Sequence, residues 1–424
     1  MTKVKNLLVL FIPLLILASC KKEKAIPEKE VVDNQGKVTP VGSPDGTAES
    51  KVIGAAGGTF TTADGKMFIT FPEGALTGNN TITIQPITNN VPGGAGKAYR
   101  ITPHDVNFAQ PVKITFTYNQ DDLVNTTPQA MSIAYQDSKG VWRTAEGETN
   151  DTTQKKVTIS TNHFSDWSLF KKLAIVPGIS FVDPGSTITL KAIKTLDDDD
   201  MVPMPNAPLS DSFPAQIKEW KLAGAGSLVP HNDVATYSAP AAIPDRQPVA
   251  VSAELQTKTS KYLLVANIYI GKEGLTFRVD KGPWMHAVSV RGVTAISTPL
   301  GVLREFTAVI PGNPTIGDGV IMRWMGHPQK WDVLGWALTF PNFQYSYHEN
   351  GNSVYYVQYS VPSGTASPGG ITFFESDEVA GSYTMGSFNI TKSGKTVVPP
   401  GGTGIPSFSN HQVEGFYKIK WAGQ

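Results

Sequence analysis

Three groups of side chains in this sequence could do chemistry by type and spacing. The first is His163-Phe164-Ser165. A serine hydroxyl can attack the carbonyl of the residue before it when a turn brings the two together and a base takes the proton. The peptide then shifts from nitrogen to oxygen, and water hydrolyses the resulting ester. In that chemistry Ser165 is the nucleophile, His163 the base, and Phe164–Ser165 the bond lost. The second group is Trp324, Trp331 and Trp336, followed by Phe340, Phe343, Tyr345 and Tyr347. Exposed rings of this kind stack on sugars or anchor a protein partner, although aromatics also fill the cores of sheets. The third is the run Asp197-Asp198-Asp199-Asp200. Calcium wants several oxygen ligands, but the run lacks the Gly and distal Glu of an EF-hand loop and reads as a solvated loop.

The remaining candidates are weaker. His104, His163, His231, His286, His327, His348 and His411 show no metal-ligand spacing, so neither a metal nor another cofactor is expected. Serine elbows, phosphate-binding glycine loops and local glycosidase signatures are absent, while a carboxylate pair distant in sequence stays open.

The N-terminus says where such a protein would live. Lys3 and Lys5 precede an apolar stretch from Leu7 to Leu17, too short for a comfortable span. It ends in Leu17-Ala18-Ser19-Cys20, which resembles a bacterial lipobox, and Cys20 is the only cysteine in 424 residues. Cys20 is thus the expected lipidation site, after removal of residues 1–19. The chain is then held to a membrane by that lipid, most naturally the outer membrane of a bacterial envelope, and forms no internal disulfide. Cleavage leaves 34 basic residues against 36 acidic ones, a net charge of −2. That balance speaks against nucleic acid as a partner.

The elements that must position these groups read as strands. Residues 20–50 are rich in charge, Pro and Gly and predict a flexible linker. Residues 51–170 alternate apolar and polar positions in short runs, such as Lys66 to Phe71 and Val112 to Tyr118, separated by Asp64-Gly65, Pro72-Glu73-Gly74 and Lys139-Gly140. Residues 171–271 continue in the same manner, with Glu219-Trp220-Lys221-Leu222 predicted as a strand with a buried tryptophan. Residues 272–424 form a third, C-terminal β unit of unassigned type. The expectation is an all-β chain of tandem β-sandwich domains behind a signal peptide and tether.

Within residues 51–170, Gly57-Gly58-Thr59-Phe60, Phe71-Pro72-Glu73-Gly74-Ala75-Leu76, Tyr99-Arg100-Ile101-Thr102-Pro103, Phe108-Ala109-Gln110-Pro111-Val112 and His163-Phe164-Ser165 resemble the ZU5 domain in order and spacing. ZU5 domains are β-sandwich modules, and some of them cleave themselves at such a His-Phe-Ser triplet. Trp220 and Ala235-Thr236-Tyr237-Ser238-Ala239-Pro240 resemble bacterial immunoglobulin-like domains, which are spacers or adhesive modules. The resemblances imply an envelope binding or adhesion protein, with a glycan or protein ligand met by the C-terminal unit. The alternative is an enzyme, either self-cleaving or with a hydrolase hidden in that unit.

Overall fold

Period-two alternation buries one face of a strand and wets the other. The run Met67–Phe71 follows that alternation, with Met67, Ile69 and Phe71 buried and Phe68 and Thr70 half-buried. Repeated along the chain, this pattern gives an all-β fold. The computed structural model describes residues 36–422 apart from 105, 107, 199, 200, 203, 212 and 312–317. Among these residues there is no α-helix, and no helix long and apolar enough to cross a membrane. Cys20 and the segment before it lie outside the described residues.

The first sandwich packs a six-stranded antiparallel sheet on a five-stranded one. The first sheet runs Glu49–Ile53, Asn80–Ile87, Gly94–Thr102, Asp166–Lys171, Met131–Gln136, Trp142–Thr144. The second runs Gly58–Thr61, Met67–Phe71, Val112–Thr117, Lys156–Thr161, Thr149–Asp151. Ile82, Ile84, Ile101, Ile114, Phe116, Ile159 and Trp167 fill the space between them.

The linker expected through residue 50 is docked from Gly36 onward. Thr39 is buried, its hydroxyl accepts the Trp142 indole N–H at 2.9 Å, and its amide donates to Gly140 at 2.9 Å. A buried indole N–H needs an acceptor, and this linker residue supplies one.

The second sandwich divides its opening segment between two sheets. Leu173–Val176 pairs with Thr187–Lys194, whereas Ile179–Val182 pairs in parallel with Lys261–Ile270. Its core centres on Tyr237, Leu190, Val251 and Leu264. Trp220 is not the buried anchor that its sequence suggests. It sits half-buried on the edge strand Glu219–Ala223, with its indole N–H donating to the Asn232 carbonyl at 2.9 Å. Tyr237 takes the central place instead.

The C-terminal unit is a closed barrel of eight strands. They run Gly274–Val279, Met285–Ser289, Gly301–Val309, Gly319–Met325, Asn342–Glu349, Asn352–Val357, Tyr383–Val398 and Ser407–Lys420, and the last pairs again with the first. Closure removes the free edges that a flat sheet would expose. The strand Tyr383–Val398 is long enough to serve two neighbours, Gly369–Ser376 through its first half and Asn352–Val357 through its second, with a bulge between Ile390 and Ser393. Gly415 is required at one close approach, since a Cβ there would sit 2.5 Å from the Phe388 ring.

From Gly36 on, these parts pack into one body. Phe181 and Tyr269 of the second sandwich meet Phe374 and Phe416 of the barrel, with Tyr269 and Phe416 ring centres 5.2 Å apart. Arg278 lies 4.3 Å over the Trp284 ring and donates to Asp245 of the second sandwich at 2.8 Å. An aromatic seam closed by a stacked guanidinium holds two bodies at a fixed angle.

Candidate functional site

The triplet His163-Phe164-Ser165 forms the corner between Lys156–Thr161 and Asp166–Lys171. Phe164 is 3% exposed and packs edge-on against Phe108 at 4.9 Å and Phe71 at 6.2 Å. The Ser165 hydroxyl donates to the Gln136 carbonyl at 2.5 Å. The His163 Nδ1 lies 3.4 Å from the Phe164 carbonyl oxygen, and its ring stacks on Trp167 at 5.5 Å. Self-cleavage needs the serine proton on the imidazole and the hydroxyl on the Phe164 carbonyl carbon. Here the hydroxyl is committed to Gln136, and none of residues 161–165 takes a positive φ that would store strain. The triplet comes together as a packed corner with a solvent-facing imidazole.

The three tryptophans separate. Trp324 is 1% exposed and Trp336 6%, both inside the barrel core, and the Trp336 indole donates to the Asn389 carbonyl at 2.6 Å. Burial takes these two out of reach of any ligand. Trp331 is different. It is half-buried and lines a cleft of about 750 Å³ where the barrel faces both sandwiches.

The backbone at Trp331 is unusual. Gln329 to Asp332 make a turn closed by the Asp332 amide on the Gln329 carbonyl at 3.0 Å, and the Asp332 carboxylate accepts the Gln329 amide at 2.7 Å. Trp331 occupies the third position of that turn with φ of 72°. That position favours glycine or asparagine, and a bulky side chain there is a genuine outlier. The Trp331 amide donates to the Phe373 carbonyl at 2.6 Å, which ties the turn to the barrel wall. Strain of this kind persists only where the surroundings impose it, and it clusters at functional positions.

Around Trp331 the cleft is polar. Its own side carries Lys330, ion-paired with Glu375, and the Phe374 ring 5.7 Å from the indole. The facing wall comes from the first sandwich. There Lys66 pairs with Asp122 at 3.2 Å, and the Asp122 carboxylate also accepts the Asn119 amide at 2.8 Å. The Lys171 ammonium donates to the Val124 carbonyl and to Asn125 Oδ1, each at 2.9 Å. Burial pushes the Lys171 amine down to about 8; the Asp122 carboxylate opposes that shift, and the facing charge of Lys330 adds to it. Four lysines, Lys66, Lys97, Lys171 and Lys330, are matched by four carboxylates, Asp121, Asp122, Asp332 and Glu375. Such a cleft has no net sign to draw an anion or a cation; it offers hydrogen-bond donors and acceptors around an aromatic face.

Of these residues, sequence reading singled out only Trp331. The others come from turns and strand ends scattered from Lys66 to Glu375, and no local spacing links them. Asp198 accepts the Val202 amide at 2.9 Å and so shapes its own loop, while Asp199 and Asp200 lie outside the described residues. Among the described residues no cluster of three or more His, Cys, Asp or Glu is placed to hold a metal ion. No protein-family model matches the chain and no curated protein matches it.

Proposed function

We propose that this chain is a lipid-anchored binding protein of the bacterial envelope, whose cleft around Trp331 takes a neutral, polyhydroxylated ligand such as a glycan. The observation that carries this reading is Trp331, held in a left-handed turn at the wall of a cleft of about 750 Å³. An indole face packs against the C–H side of a sugar ring, while amide, carboxylate and ammonium groups satisfy its hydroxyls. The matched charges favour a neutral sugar over a polyanion. In this reading the ZU5-like and immunoglobulin-like sandwiches serve as spacers and also supply the far wall of the cleft. Cys20 carries the lipid that holds the chain at the outer membrane.

Two experiments test it. The full mature chain, purified in detergent, is applied to a glycan array, and Trp331→Gly is compared with the natural protein. Glycine suits the turn, so the variant folds, and loss of the ring weakens glycan binding about tenfold or more, the equivalent of about 1.4 kcal/mol. An unchanged binding pattern in Trp331→Gly, or no glycan bound by the natural chain, sinks the cleft reading. For the anchor, metabolic labelling with a fatty-acid analogue marks the natural chain and not Cys20→Ala; equal labelling of both would refute lipidation at that residue.

A further inference from the structure

The open end of the barrel holds a second arrangement that the binding reading does not use. Opposite residues of neighbouring strands face the same side, and register places Tyr345 opposite Tyr356, Tyr356 opposite Lys395, and Lys395 opposite Ser409. Tyr345 and Tyr356 belong to the barrel core, so the whole row lies on the inner face. Ser409 is its exposed end. Two residues along the same strand and on the same face is His411, whose ring meets Tyr356 edge-on at 5.5 Å. The Ser409 hydroxyl is 2.8 Å from His411 Nε2, and His411 Nδ1 is hydrogen-bonded to Asp280 Oδ2.

The roles follow from the chemistry of the groups. A carboxylate can only accept, so in the neutral imidazole Nδ1 carries the hydrogen and Nε2 is left as the base toward Ser409. Asp280 is fixed from both sides, since its Oδ1 accepts the Gln412 amide at 2.8 Å. Asp280 and Lys281 both take positive φ, 49° and 59°, so a strained turn aims this carboxylate. Partial burial raises the Asp280 pKa, but the hydrogen bonds from His411 and the Gln412 amide outweigh it and hold the carboxyl below its usual range, with the Lys395 charge helping. Lys395, the cross-strand partner of Ser409, has its ammonium 5.5 Å from the centre of the Tyr356 ring. The same Tyr356 ring also meets His411, so a cation lies on this row with the serine and the histidine.

We propose that Ser409, His411 and Asp280 form a Ser-His-Asp site that hydrolyses carboxylic esters at the open end of the barrel. The Ser409 oxygen attacks the ester carbonyl carbon as its proton passes to His411 Nε2. The carbonyl oxygen becomes the oxyanion of a tetrahedral intermediate, and Lys395 is the cation of this row. The C–O bond to the alcohol breaks, and the alcohol leaves with the proton from Nε2. Water then gives a proton to His411 and attacks the acyl carbon. The Ser409 oxygen departs and recovers that proton, so ester and water become acid and alcohol. Asp280 is the positioning residue that sets the tautomer and stabilises the imidazolium.

A Ser-His-Asp chain also occurs on the outer face of the neighbouring hairpin, where Ser353 is 3.2 Å from His348 Nε2 and His348 Nδ1 is 2.6 Å from Asp318. It has the longer serine contact and serves as the internal control. The test is labelling of the full mature chain with a fluorophosphonate, which phosphonylates activated serines, with the labelled peptide read by mass spectrometry. Hydrolysis of p-nitrophenyl acetate is followed in parallel. The expected label is on Ser409; it is lost in Ser409→Ala, slowed about tenfold or more in His411→Gln, and kept in Ser353→Ala. Asp280→Asn slows labelling and Asp280→Glu restores part of it, because only a carboxylate holds the proton on His411 Nδ1. Ester turnover falls about tenfold or more in Ser409→Ala. No label on the natural chain, a label on Ser353 alone, or equal labelling in His411→Gln overturns the proposal. None of these outcomes bears on Trp331, so the two sites stand or fall separately.

Discussion

Phe164→Ala lowers the stability of the first sandwich by about 3–5 kcal/mol, the cost of emptying a buried aromatic site. The ring lies among Phe71 and Phe108 with almost no exposure, and the strands that meet at this corner have little freedom to collapse into the gap. Ser165→Ala removes one hydrogen bond to the Gln136 carbonyl and costs about 1 kcal/mol. Hydrogen exchange on peptides from Lys156–Thr161 and Asp166–Lys171 reads this sandwich apart from the rest of the chain. The same corner is expected to keep the chain whole, so the purified protein gives a single intact mass. Fragments ending at Phe164 and starting at Ser165, absent in Ser165→Ala, would reverse that expectation, as would a larger loss of stability from Ser165→Ala than from Phe164→Ala.

The contrast at this corner shows what a sequence can carry. His163-Phe164-Ser165 contains the groups for self-cleavage, and its apolar residue was bound to pack. Whether the hydroxyl met the Phe164 carbonyl or another acceptor depended on Met131–Gln136, whose last residue offers its carbonyl from about thirty positions away in the chain. Strand character was legible because alternation is local: Ile82 and Ile84 in Asn80–Ile87, and Val157 and Ile159 in Lys156–Thr161, are buried while the threonine between each pair is not. The barrel was not legible. Its closure rests on Ser407–Lys420 returning to Gly274–Val279, and no residue type announces that pairing.

The sites follow the same division. Three tryptophans close in sequence have one composition and two fates, since Trp324 alternates into the barrel core while Trp331 sits in a turn beyond the strand end. The walls of the cleft come from three parts of the fold, so their chemistry was invisible before folding. Ser409 and His411 were closer to legible. A serine and a histidine two apart on a strand share a face, and the spacing alone could have raised them. Asp280, which sets the histidine's orientation, lies 131 residues earlier. The docked linker has a similar origin, for nothing in residues 36–48 marks Thr39 as the acceptor that Trp142 requires.

Trp324→Ala costs the barrel about 3–5 kcal/mol and leaves the affinity of the cleft unchanged in the folded fraction. The ring packs edge-on against Phe373 at 5.3 Å and Phe306 at 6.4 Å, and its removal opens a cavity in the centre of the closed sheet. Its indole N–H is buried with no hydrogen-bond partner among the described residues, a standing cost that the packing of the ring outweighs. Trp324→Phe therefore costs much less than Trp324→Ala, because it keeps most of the ring volume and removes the orphaned donor. Trp331→Gly is expected to behave in the opposite sense: the barrel stays folded, since glycine relieves the left-handed turn, while the proposed glycan binding weakens about tenfold or more. Denaturant unfolding followed by hydrogen exchange on peptides from Gly319–Met325 and Gly369–Ser376 measures the first effect, and binding to the array-selected glycan measures the second. If Trp324→Ala weakened binding as much as Trp331→Gly at equal folded fraction, the division between a packing tryptophan and a recognising one would be wrong.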